Sequence, residues 1–159
     1  MLGSNANVTS DILRSDSEAY GGAWKGNWTW ADGSGSGVMS ATGTVDIGTR
    51  LITGTGNVTG AMLSTPIPAI DVTVAVDSWK YDDDGNFSIG FPTVVGAVTL
   101  SSNGGFGKFK LHVDVAGRDD VVAFDATGVA NRPSAIPVLF TMTSKDGSTK
   151  SGSVTFSPG

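Results

Sequence analysis

Residues 39–62 read MSATGTVDIGTRLITGTGNVTGAM, and this stretch decides the fold class. Met39, Ala41, Gly43, Val45 and Ile47 alternate with Ser40, Thr42, Thr44 and Asp46. Gly48-Thr49 turns the chain. Ile52, Gly54, Gly56, Val58, Gly60 and Met62 then alternate with Thr53, Thr55, Asn57 and Thr59. A period of two along both arms puts small and apolar side chains on one face and hydroxyls on the other. That is the pattern of a sheet with one wet face.

The same period runs outward in both directions. Upstream, Trp24, Gly26, Trp28 and Trp30 share a face opposite Lys25, Asn27 and Thr29, and Asp32-Gly33-Ser34-Gly35-Ser36-Gly37 is a flexible turn. Downstream, Ser64-Thr65-Pro66-Ile67-Pro68 is a rigid connector, because proline donates no ladder hydrogen bond. Val72, Val74 and Val76 follow, and Tyr81 to Phe87 reads as a hairpin loop. Ile89, Phe91, Val94 to Leu100, Phe109 to Val115 and Val121 to Thr127 continue the pattern, which Asn131-Arg132-Pro133-Ser134 breaks. Val138, Phe140 and Met142 oppose Thr141 and Thr143, and Lys145-Asp146-Gly147 turns the chain before Val154 and Phe156. The spacing gives roughly ten strands, one every ~8–12 residues, as in a barrel or sandwich. No crossover helix is present to support parallel pairing. The expected architecture is an all-β antiparallel β-barrel or two-sheet β-sandwich over residues 21–159, preceded by a polar N-terminal arm, residues 1–20.

Composition agrees. Glu18 is the only glutamate among 15 acidic residues and glutamine is absent, so the usual helix-surface residues are missing. The 23 glycines show no collagen-like period. Within strands, Gly43, Gly54, Gly56 and Gly60 make room on one face, for curvature, for the tryptophans, or for a ligand. A net charge of -5 offers no basic footprint for nucleic acid or anionic lipid. Cysteine is absent, which removes disulfides, thiolate catalysis and cysteine-based zinc sites. No apolar run reaches the ~18 residues of a membrane-spanning helix. The first residues of the chain as given lack the charge and apolar run of a signal peptide.

Two groups of residues stand out as candidate sites. Trp24, Trp28 and Trp30 form an aromatic stripe that either stacks a ligand such as a sugar or fills the core. Asp82, Asp84 and Asn86 carry oxygens at alternate positions, like the opening of a calcium loop. The glycine at 85 comes two places early, however, and no glutamate closes the loop. The remaining motifs carry less. His112, the only histidine, sits on a polar strand face near Asp114, without the Gly-x-Ser-x-Gly elbow of a serine hydrolase. Gly54 to Gly60 departs from phosphate-loop spacing and no helix follows it. Four Asn-x-Ser/Thr sequons, at Asn7, Asn27, Asn57 and Asn86, matter only in a secreted eukaryotic protein.

Gly22-Ala23-Trp24, repeated at once as Gly26-Asn27-Trp28, resembles the G-x-W opening of lipocalins and the G-T-W start of avidins. The resemblance covers about ten residues. It implies an up-and-down barrel binding a small ligand at its mouth, and it carries no site residue across.

No catalytic or cofactor signature is present, so the sequence points away from an enzyme. The main expectation is a structural or assembly protein, a virion, tail or appendage component, with a virion or extracellular location. Its partners would be copies of itself or assembly neighbours, reached by residues 1–20 and the tail near Gly159. The alternative is a small-molecule or glycan-binding barrel built on the tryptophan stripe.

Overall fold

The computed structural model describes residues 22–46, 48–63, 66–75, 78, 82–84, 86–104, 107–130 and 134–159. The polar arm expected over residues 1–20 lies outside them, as do Ile47, Ser64, Thr65, Val76, Tyr81, Gly85 and Asn131 to Pro133.

Ten strands form: β1 (Gly22–Trp30), β2 (Ser36–Asp46), β3 (Leu51–Val58), β4 (Ile70–Ala75), β5 (Ser88–Thr93), β6 (Gly96–Ser102), β7 (Lys108–Val115), β8 (Val121–Val129), β9 (Ile136–Ser144) and β10 (Thr149–Pro158). All belong to one sheet in the order β4-β3-β2-β1-β10-β9-β8-β7-β6-β5, and every pairing is antiparallel. β1 and β10 hydrogen-bond, with Trp28 opposite Val154 and Trp30 opposite Gly152. That pairing joins β1–β4 and β5–β10 into one sheet, whose end strands β4 and β5 come round to meet. The result is a nearly closed barrel, and the sandwich alternative falls away. The one seam lies between β4 and β5, which come near each other without a ladder.

The seam corrects one expectation. Tyr81 to Phe87 is part of the link between β4 and β5, but these strands do not pair as a hairpin. Pro92 marks β5 as an edge, where a missing N–H breaks no ladder. A turn also went unseen within Val94 to Leu100. Thr93 Oγ1 accepts the N–H of Val95 at 3.2 Å and donates to the carbonyl of Gly96 at 2.8 Å, and Gly96 has φ +138°. The turn at Val94 and Val95 separates β5 from β6. Likewise β3 ends at Val58, before Met62, because Gly60 turns with φ +89°.

Alternation assigns the two faces. The inner face carries Trp24, Trp28 and Trp30, with Val138, Phe140 and Met142 from β9 and Val154 from β10, all buried. Serine, threonine, aspartate and lysine dominate the outer face, the reverse of a lipid-facing barrel. At β8 a bulge between Val121 and Ala123 inserts one residue. Strict alternation would put Val121 on the face opposite Phe124 and Ala126. The bulge instead lets Val121, Phe124 and Ala126 all join the core, while Val122 is exposed.

At the barrel centre Trp28 is fully buried. Its indole N–H donates to the carbonyl of Thr59 at 2.8 Å. Trp28 meets Trp30 edge-on at 5.7 Å, Trp30 meets Phe140 at 5.5 Å, and Phe140 stacks on Phe124 at 5.6 Å. Burying one indole removes roughly 150–250 Å² from water, worth about 4–6 kcal/mol at about 25 cal/mol per Å². Two glycines make this packing possible. A Cβ on Gly152 would stand 2.6 Å from Phe140 Cζ, and one on Gly37 would stand 2.6 Å from Trp28 Nε1 and closer still to Thr59 O.

Gly37→Ala is therefore expected to lower unfolding stability by about 1–3 kcal/mol, as overpacking does. Gly43→Ala places its Cβ 3.9 Å from the nearest atom and is expected to be neutral or to stabilise by up to about 1 kcal/mol. Urea unfolding midpoints of the two variants check the contrast; equal losses would show that the inner face has no tight end.

Candidate functional site

The aromatic cluster stops short of one end of the barrel. Four chain segments meet there: the β1–β2 turn, the β3–β4 connection, the β7–β8 loop and the β9–β10 hairpin. They border an open-sided cavity of ≈ 450 Å³. Trp30, Met62, Leu63, Val121 and Met142 supply its apolar wall, with Ala61, Ser34, Ser144, Asp120 and Lys150 around them. The β8 bulge brings Val121 to this wall, and the turn at Gly60 leads the chain back so that Met62 covers the end and is itself buried.

Its charges are organised. Arg118 holds Asp120 through Nε at 3.0 Å and Nη2 at 3.2 Å. Lys150 Nζ lies over the Trp30 ring, 4.8 Å from its centroid, and 3.8 Å from Asp32 Oδ2. Asp32 also accepts the backbone N–H of Ser34 at 2.8 Å, and hydrogen bonding from Ser34 is the main cause that lowers its pKa from the ordinary carboxylate value.

The tryptophan stripe is on the inner face throughout, but its members differ. Trp30 reaches the cavity with 4% of its surface exposed, Trp28 has none exposed, and Trp24 sits towards the opposite end at 8%. None is an open platform for a sugar. Asp82, Asp84 and Asn86 lie in the link before β5. One oxygen of Asp82 accepts the N–H groups of Asp84 and Asn86, each at 2.9 Å, and Asn86 Oδ1 accepts the Ser102 hydroxyl at 3.2 Å. These side chains fasten the turn. Among the described residues no three His, Cys, Asp or Glu side chains gather to hold a metal ion.

Sequence reasoning missed Lys150, Met62, Val121 and Met142 as cavity residues. For Lys150 the signal was present: it shares parity with Gly152, Val154 and Phe156, so alternation turns it inward. For Met62 it was not, because a non-repeating turn places it.

A second, smaller depression of ≈ 300 Å³ lies on the outer wall among Thr42, Thr44, Thr53, Thr55, Asp71 and Thr73. Its polar groups satisfy one another: Thr44 and Thr53 share a hydrogen bond of 3.0 Å, and Thr55 donates to Asp71 at 2.8 Å. The cavity at the barrel end is the better candidate, having an apolar wall and a cation.

No family model matches the chain, and no curated protein matches it in sequence. Solved structures do. The chain is similar to Rv2717c from M. tuberculosis, with TM-score 0.57 and 10% identity over 95% of this chain and 97% of that one. It is also similar to the S-type phycobiliprotein lyase CPES from Guillardia theta, with TM-score 0.57 and 9% identity over 99% and 98%. A de novo designed fluorescence-activating β-barrel is a more distant likeness, at TM-score 0.46 and 11% identity over 91% and 97%.

The two likenesses at TM-score 0.57 overturn the expectation of a virion, tail or appendage component. The chain shares its architecture with a lyase and a mycobacterial protein. The tail near Gly159 also has a partner within the chain: β10 runs to Pro158 beside Trp24, and the Gly159 N–H donates to the carbonyl of Ala23 at 3.0 Å.

His112 lies away from the cavity, on the outer wall. Nδ1 meets Asp125 Oδ1 at 2.6 Å and Nε2 meets Asp114 Oδ1 at 2.9 Å. Both ring nitrogens are engaged, so neither is open to act as a base. Hydrogen bonding to Asp125, then to Asp114, raises the His112 pKa above its ordinary value. A raised folded-state pKa stabilises the fold in full below the unfolded value of about 6.5, and the gain is lost as pH rises through the folded value. Relative to His112→Gln, the wild-type protein is expected to be more stable at pH 6 and to lose that advantage as pH rises through the raised folded-state pKa, as read from urea midpoints of both proteins. The side chain is 43% exposed, which keeps the effect small.

Proposed function

We propose that the chain is a non-enzymatic β-barrel that binds a small molecule in the cavity at the barrel end. The observation that carries this reading is the cavity itself. Its ≈ 450 Å³ falls within the roughly 300–1,000 Å³ of small-ligand sites, and an apolar wall with a few polar groups is their usual lining. A fold of this kind serves many functions, so the argument rests on the site rather than on the barrel. The buried aromatic cluster gives the cavity a rigid floor, and the turns around the mouth leave one side open. A small molecule is favoured over a glycan because sugars stack on open aromatic faces, whereas these three indoles are nearly or wholly buried.

Phenylnaphthylamine, an uncharged dye that brightens in apolar surroundings, or its sulfonated analogue is expected to bind saturably with one-to-one stoichiometry. Ala61 is an exposed lining residue. Ala61→Trp is expected to block binding while changing stability by no more than about 0.5 kcal/mol, as surface substitutions do. Absence of saturable binding by both dyes would sink the proposal.

A further inference from the structure

Lys150 occupies a position that the fold would otherwise give to an apolar residue. Its partner across the sheet is Met142, and the next inner positions of β10 are Gly152 and Val154, both buried. An inward charge can protect an edge strand from pairing with another chain. β10 is not an edge, because β1 and β9 flank it. Lys150 is instead a rim residue, with its side chain 42% exposed and its ammonium over the Trp30 ring.

Its present contacts leave it underused. The Asp32 contact, at 3.8 Å, is too long for a hydrogen bond. Among the described residues Lys150 makes none, although an ammonium has three donors. Asp32 is also committed to the turn through Ser34, and Asp120 is committed to Arg118. The two pairs balance in charge, but Lys150 has the longer contact, so its ammonium is the cationic group at the cavity that an incoming anion can engage. Around it lie Trp30 and the thioethers of Met62 and Met142, polarisable surfaces suited to a flat aromatic body.

We propose that the cavity takes an aromatic monoanion, with its acidic group on Lys150 and its ring system against Trp30, Met62 and Met142. This rests on the binding reading above and adds the chemical class of the ligand. The acidic group would replace the long contact to Asp32 with a short, charge-assisted hydrogen bond.

The test compares anilinonaphthalene sulfonate with phenylnaphthylamine, which share a ring system and differ by the sulfonate. Dissociation constants are measured by dye fluorescence on the wild type, Lys150→Gln, Lys150→Arg and Ala61→Trp. The sulfonate is expected to bind the wild type about tenfold more tightly than the neutral dye. Lys150→Gln should erase that preference while still binding the neutral dye, which also shows that the variant is folded. Lys150→Arg should restore it. If the dyes bind equally, or if Lys150→Gln leaves sulfonate affinity unchanged, the assignment of an anion is overturned and the binding reading stands. If neither dye binds the wild type, or Ala61→Trp blocks neither, both fall together.

Discussion

The barrel is organised around one hydrogen bond, from the buried indole of Trp28 to the carbonyl of Thr59. An indole N–H deep in an apolar core must find an acceptor, or folding leaves a dry polar group behind. The acceptor here lies just past the end of β3, two strands from β1, and only a residue without a Cβ at position 37 lets the two meet. The bond therefore sets three things together: the depth of Trp28, the register of β2 between β1 and β3, and the place where β3 stops. Trp30, Phe140 and Phe124 build outward from that fixed point, and the cavity begins where they end.

Much of this was legible in the chain. Alternation at Met39 to Asp46 and Ile52 to Val58 gave strands that pair residue by residue, and Trp24, Trp28 and Trp30 do share the inner face. The departures are places where local geometry interrupts a period of two. At Thr93 to Gly96 the side chain of a threonine and a positive φ make a tight turn inside an apolar run. At Val121 to Phe124 a bulge shifts parity by one. Neither interruption changes composition, so hydrophobic patterning passes over both. Choosing barrel over sandwich needed the β1–β10 pairing, which joins the two most distant parts of the described chain and leaves no local mark.

The candidate site was less legible for the same reason. Its walls come from turns and from the bulge, which alternation does not describe, and only Trp30 of the tryptophan stripe reaches it. The in-strand glycines divide by surroundings. Gly37 and Gly152 admit aromatic groups, whereas Gly43 and Gly56 face space that their neighbours do not fill. One residue type thus serves close packing at the barrel centre and openness elsewhere on β2 and β3.

The seam between β4 and β5 bears on how the chain finds its shape. Every pairing except β1 with β10 joins strands adjacent in sequence, so each can form as a local hairpin with little loop-closure entropy. The β1–β10 ladder instead requires the whole intervening chain to be in place. Joining Gly159 to Gly22 and opening the chain in the β4–β5 link would give the strand sequence β5 to β10 followed by β1 to β4, which is the order of the sheet itself. Such a circular permutant would be a simple meander with no long-range closure, built from the same strands and the same core.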